Sequence, residues 1–121
     1  MTKTILVIED NEQNLYLMKF LLEAHGFEVI SAGDGPSALE TVAQFVPAAI
    51  LLDIQLPGMD GYAVAAALRQ KPALKNTPII AVTSFAMAGD REKALAAGAT
   101  DYIEKPINLD TFVQQLQKHL H

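Results

Sequence analysis

The 121-residue sequence predicts an α/β fold: a five-stranded parallel sheet with helices on both faces. Three observations predict it. Five short apolar runs alternate with longer stretches of helical periodicity. The third run, Ala49-Ile50-Leu51-Leu52, is apolar throughout, as a strand buried on both faces must be. Glycine, proline and asparagine stand where helices should start and stop.

Taken in order, Ile5–Ile8 is the first strand and Asn11–His25 a helix, with Leu15, Met18 and Leu22 at core spacing. Gly26 ends that helix, at the position after the cap where a left-handed residue is favoured. Phe27–Ser31 is the second strand. Gly33-Asp34-Gly35 then turns into a helix with Pro36 near its first position and Ala38, Leu39, Val42 and Ala43 on its buried face. Ala49–Leu52 is the third strand, followed by a loop with the turn residues Pro57 and Gly58 and a helix from Asp60, its N-cap, to Gln70. Pro78–Val82 is the fourth strand, with a helix inside Ala88–Ala97 closed by Gly98. Ala99–Ile103 is the fifth. The last helix starts at Asn108 and carries Leu109, Phe112, Val113, Leu116 and Leu120.

Composition narrows the function classes. The length suits one domain, and the chain stops where its last helix stops, so a single domain over 1–121 without an output domain is expected. A formal charge of −5 with no basic cluster argues against nucleic acid. The absence of cysteine excludes disulfides, thiolate metal sites and thiol catalysis. The N-terminal apolar run is stopped at Glu9-Asp10, too short for a signal peptide or a membrane span. A cytoplasmic protein without membrane contact is expected.

The chemistry lies at the strand ends. Glu9-Asp10 follows strand one, Asp53 strand three, Thr83-Ser84 strand four and Glu104-Lys105-Pro106 strand five, while strand two ends in Ser31-Ala32-Gly33. In an open parallel sheet all these ends share one edge, and ligands bind where the strand order reverses. The flavodoxin-like order 2-1-3-4-5 puts the silent second strand at the edge. It brings Glu9, Asp10 and Asp53 together, flanked by Thr83 and Lys105. Two like charges 4 Å apart repel by roughly 4 kcal/mol at an effective dielectric near 20. Lys105 and a hard divalent cation are the available compensators, and magnesium suits oxygen ligands that leave room for phosphate. A carboxylate, a lysine, a hydroxyl and magnesium together suit phosphoryl transfer, with Asp53 as nucleophile forming an aspartyl phosphate. Thr83 would hydrogen-bond the phosphoryl group and report its arrival.

The chain resembles the receiver domain of two-component response regulators, of the CheY-like superfamily, over essentially its full length. The resemblance is carried by Glu9-Asp10, the block Asp53-Ile54-Gln55-Leu56-Pro57-Gly58-Met59-Asp60-Gly61, Thr83-Ser84 and Tyr102-Ile103-Glu104-Lys105-Pro106. The stretch Thr83–Asp90 is similar to that of DivK-type single-domain regulators and of hybrid-kinase receivers. The resemblance implies phosphorylation of Asp53 by a histidine kinase or histidine phosphotransfer protein. It implies magnesium, with manganese as a substitute, on Asp10, Asp53 and the backbone carbonyl of Gln55, with Glu9 acting through water. Lys105 would contact the phosphoryl group across a cis peptide to Pro106. Thr83 and Tyr102 would be the switch pair, acting on the face formed by helix four, strand five and helix five, and Ser84 would leave room for phosphate. The implied product is a monomer or phosphorylation-dependent homodimer acting on an unidentified protein target. Its only catalysis would be its own phosphorylation and slow dephosphorylation. Gln55 and Phe85 occupy positions that tune phosphate lifetime in the family.

Other readings are weaker. Gly33-Asp34-Gly35-Pro36-Ser37-Ala38 has dinucleotide-binding spacing, but Pro36 removes an amide that a pyrophosphate needs. A magnesium-dependent aspartyl-phosphate phosphatase would need a further acid where Gln55 stands. A receiver cut from a hybrid histidine kinase would share every motif. His25, His119 and His121 neighbour no nucleophile, so neither metal nor catalytic roles are expected of them. Gly61 reads as backbone packing, and Phe85, Met87 and Phe112 as core or partner contacts.

Overall fold

A computed structural model of the chain describes residues 2–56, 58–83 and 89–120. Pro57, Ser84, Phe85 and Met87, each given a role above, and His121 lie outside the described residues. The elements alternate as β1 (Thr4–Ile8), α1 (Glu12–Ala24), β2 (Glu28–Ala32), α2 (Gly35–Gln44), β3 (Ala49–Asp53), α3 (Gly61–Arg69), β4 (Ile79–Thr83), α4 (Asp90–Ala96), β5 (Asp101–Glu104) and α5 (Phe112–Gln117). The strands form one parallel sheet in the order β2-β1-β3-β4-β5, the flavodoxin-like order expected above.

Successive strand residues point to opposite faces, and this alternation sorts the core into two layers. Leu6, Ile8, Ile50, Leu52, Ile79 and Ala81 face α2, α3 and α4, meeting Ala38, Val42, Val64, Leu68 and Ala94. Ile5, Val7, Leu51, Ile80, Val82 and Ile103 face α1 and α5, meeting Met18, Leu22, Phe112, Val113 and Leu116. β3 is buried at all five positions because it lies between β1 and β4 and is covered on both faces. Its last buried residue is Asp53.

The caps follow the sequence closely. Asn11, Asp34 and Asp60 each accept a backbone N–H in the first turn of the helix they precede, from Asn14, Ser37 and Tyr62 respectively. Gly26, at φ +89°, lets Phe27 N–H reach back to the Leu22 carbonyl and close α1. The amide-poor start of α2 is also blocked by the Asp34 carboxylate, which removes any pyrophosphate site there.

Three local expectations change. Ala43 is exposed, and α2 buries Gly35, Ala38 and Val42 instead, a narrower stripe. A 3-10 turn at Pro72–Leu74 follows α3, with Leu74 fully buried. It is pinned by Arg69, whose guanidinium donates to the carbonyls of Leu74 (2.7 Å), Thr77 (2.9 Å) and Gly98 (3.0 Å). The last helix begins at Phe112 rather than Asn108. Asn108 caps a turn instead, its side chain accepting the Asp110 N–H, and Leu109 is left 59% exposed.

Candidate functional site

Glu9, Asp10, Asp53, Thr83 and Lys105 leave the carboxyl ends of β1, β3, β4 and β5, which adjoin in the sheet. Asp53 is 4% and Glu9 2% exposed, while Asp10 faces solvent. One carboxylate oxygen from each of the three lies within 4.8 Å of the others. Lys105 Nζ sits 2.7 Å from Glu9 Oε1 and 3.4 Å from Asp53 Oδ2, so a single ammonium bridges the two buried acids.

The backbone holds these groups in place. Ile54 N–H donates to the Val82 carbonyl, which carries the β3–β4 ladder one residue past Asp53. Gln55 N–H donates to Asp53 Oδ1 at 2.9 Å, leaving Oδ2 turned toward the ammonium. Asn11 N–H donates to Glu9 Oε2 at 3.2 Å. Lys105 N–H donates to the Thr83 carbonyl at 2.7 Å, and the Lys105–Pro106 peptide is cis. Gly61 N–H donates to the Ile54 carbonyl, and a Cβ on Gly61 would lie 2.6 Å from the Ile54 carbonyl carbon. Only glycine permits that approach, which folds the loop after Asp53 tightly against α3.

The electrostatics are those of crowded like charges. Burial pushes the Glu9 carboxyl up to about 7, with the neighbouring Asp53 adding to the rise and Lys105 and the Asn11 amide opposing it. Three carboxylates face one ammonium, so two negative charges want a partner when all are ionised. The donor set is hard oxygen, which suits magnesium or calcium. Glu9, Asp10 and Asp53 could hold such an ion, since one oxygen of each lies within 4.8 Å of the others.

Thr83 is buried at the end of β4, and Gly89 stands at the N-cap of α4. Tyr102 lies inward, 8% exposed, against the layer that contains Ala94 and Ala99. Its hydroxyl is buried with no hydrogen-bond partner among the described residues, and burial raises its pKa, with Asp90 and Glu104 adding to the rise.

One ion-pair centre was not legible in the sequence. Asp101, at the opposite end of β5, is buried and accepts from His119 Nε2 at 2.7 Å, with Arg91 and Lys118 each at 3.9 Å. Burial pushes the Asp101 carboxyl up, but hydrogen bonds from His119, the Tyr102 amide and Gln115 outweigh it and hold it below its ordinary value. The pairing spans 18 residues, and no local spacing announces it.

Comparison with known proteins agrees with this geometry. Residues 5–117 match the family model of the response regulator receiver domain. The chain is 41% identical over 120 residues to the polar-differentiation response regulator DivK of Brucella ovis, covering 99% of this chain and 98% of that protein. It superposes on the chemotaxis response regulator CheY4 of Vibrio cholerae with a TM-score of 0.93 at 28% identity, covering 99% and 100% of the two chains. A further match is the receiver domain of the sensor histidine kinase PA1611 of Pseudomonas aeruginosa PAO1, with a TM-score of 0.89, 35% identity and coverage of 98% and 97%. That crystal structure has a magnesium ion coordinated in its active site cleft. With its strand order, its acidic rim and its bridging lysine, the chain belongs to the response regulator receiver domain family of two-component signalling.

Proposed function

We propose that the protein is a phosphorylation-controlled interaction module whose phosphoacceptor is Asp53. The observation that carries this reading is the convergence of Glu9, Asp10 and Asp53 on one point with Lys105 across two of them. Asp53 Oδ2 attacks the phosphorus of a phosphohistidine on a sensor kinase or phosphotransfer protein. The new O–P bond forms as the N–P bond breaks, and the imidazole leaves with the electron pair and takes a proton. The Gln55 amide holds Oδ1, which fixes the direction of attack. Lys105 shifts its ammonium from the carboxylates to the transferred oxygens. Asp10, Asp53 and the Gln55 carbonyl, with Glu9 through water, would hold magnesium or manganese, whose charge neutralises the phosphoryl oxygens.

Thr83 and Tyr102 form the switch pair in this reading. Thr83 donates to the phosphoryl group, and Tyr102, whose hydroxyl has no hydrogen bond to lose among the described residues, follows at little cost. The surface of α4, β5 and α5 then changes its affinity for a protein target. The protein's own catalysis is confined to gaining and slowly losing the phosphoryl group.

Incubation with acetyl phosphate and magnesium chloride is expected to add one phosphoryl group by intact-protein mass spectrometry, and Asp53→Asn to abolish it. Labelling of the variant, or labelling that persists in excess chelator, overturns the assignment. Thr83→Ala is expected to accept phosphate yet leave affinity for a phosphorylation-dependent partner unchanged on labelling, checked by calorimetry. An undiminished change would remove Thr83 from the switch.

A further inference from the structure

The edge of the sheet where the strands begin lies roughly 17 Å from the acidic rim, the length of a five-residue strand. It carries a cleft of two lobes, about 310 and 300 Å³, whose walls share Lys75, Asn76, Thr77, Pro78 and Leu120. Each lobe is at the lower end of the range that takes a small organic ligand. The chain has 14 acidic residues against nine basic ones, yet among the described residues no acidic side chain lines either lobe. Arg69, Lys75 and Lys118 line one of them.

Arg69 is the anchor. Its Nε donates to the Gly98 carbonyl, and its Nη1 donates to the carbonyls of Leu74, Lys75 and Thr77. Nη2 makes a single long bond, 3.4 Å to Thr100 Oγ1. Among the described residues no carboxylate pairs with Arg69 or with Lys75. The guanidinium is thus half-buried and, among the described residues, held by backbone carbonyls and the Thr100 hydroxyl without a carboxylate, a costly state that an anion relieves. Lys118 is 3.9 Å from Asp101, a carboxylate already bonded by His119 at 2.7 Å, so its ammonium is loosely held.

We propose that this cleft binds a small phosphorylated molecule, with its phosphate at Arg69, Lys75 and Lys118. Phosphate fits better than carboxylate. The Arg69 fork is spent on carbonyls and cannot grip a planar carboxylate with two parallel bonds. The donors that remain, Arg69 Nη2 with its one long bond, Lys75 and the loosely held Lys118, come from three separate segments and suit a tetrahedral group with oxygens in several directions. The second lobe has Ala48, Pro72, Ala73 and Leu120 in its walls, which offers apolar contact to the organic part.

Titration of the full chain with adenosine monophosphate and with inorganic phosphate, without divalent ions and followed by amide NMR, tests the proposal. Saturable shifts are expected at Asn76, Thr77 and Thr100 with both probes, tighter with the nucleotide. The pair Lys75→Ala and Lys118→Ala is expected to weaken binding at least about tenfold, and the corresponding arginine pair to retain it. The absence of saturable shifts, equal affinity in the alanine pair, or shifts confined to Thr83 and Lys105 overturns it. The readout is at the pole away from Asp53, so its failure leaves the proposed phosphoryl transfer standing.

Discussion

The Tyr102 hydroxyl is the sharpest feature at the scale of single residues. A buried hydroxyl without a partner carries an uncompensated desolvation cost. Tyr102→Phe is therefore expected to leave the unphosphorylated fold as stable as before or more stable by about 1 kcal/mol, read from urea unfolding. A loss of more than that would mean the hydroxyl is satisfied in solution. Glu9 shows the opposite strategy, a buried acid held by Lys105 and the Asn11 amide. The placing of Asp53 and Lys105 at the rim was legible because Asp53 directly follows an apolar run and Lys105 comes just after the fifth strand. The Lys105 ammonium resting nearest to Glu9 was not, since it depends on side-chain reach across 96 positions.

At the scale of elements, the end of α5 is tied to β5 through His119 and Asp101. Both groups are largely buried, so the bond is worth more than the exposed pairs that Arg91 and Lys118 make with the same carboxylate. His119→Ala is expected to cost about 2 kcal/mol, the worth of a hydrogen bond to a charged group. The folded protein holds Asp101 below its usual 3.8, so the unfolded chain takes up the proton first as pH falls. The stabilisation is complete above that value and is lost as pH drops through the lower folded value. Asp101→Asn should flatten this acid limb of a stability–pH curve, and an unchanged limb would place the titration elsewhere. The ends of α1, α2 and α3 were readable because caps are local chemistry. The start of α5 was not, because Asn108 is equally suited to cap a helix or a turn.

At the scale of the whole molecule, three acids converge where the strands end, while Arg69, Lys75 and Lys118 line a cleft where they begin. Packing three carboxylates around one ammonium stores repulsion that a divalent ion relieves on binding the folded state. Magnesium is expected to raise the unfolding free energy by about 2.7 kcal/mol at a hundredfold excess over its dissociation constant, and chelator to reverse it. Asp10→Asn should diminish the effect in differential scanning calorimetry. An identical response in that variant would locate the ion at another site. Among the described residues no helix is long and apolar enough to cross a membrane.

By itself the sequence determined the parallel α/β class and, once the flavodoxin-like strand order is adopted, which residues lie at the rim. Apolar runs, caps and terminal polar residues are short-range signals, and a parallel sheet turns them into one edge by simple geometry. Tertiary structure alone decided which acid the ammonium grips, which carboxylate His119 meets and where the Arg69 guanidinium spends its donors. Those choices join residues far apart in the chain, and side-chain reach, burial and dielectric act only once the strands have been laid side by side.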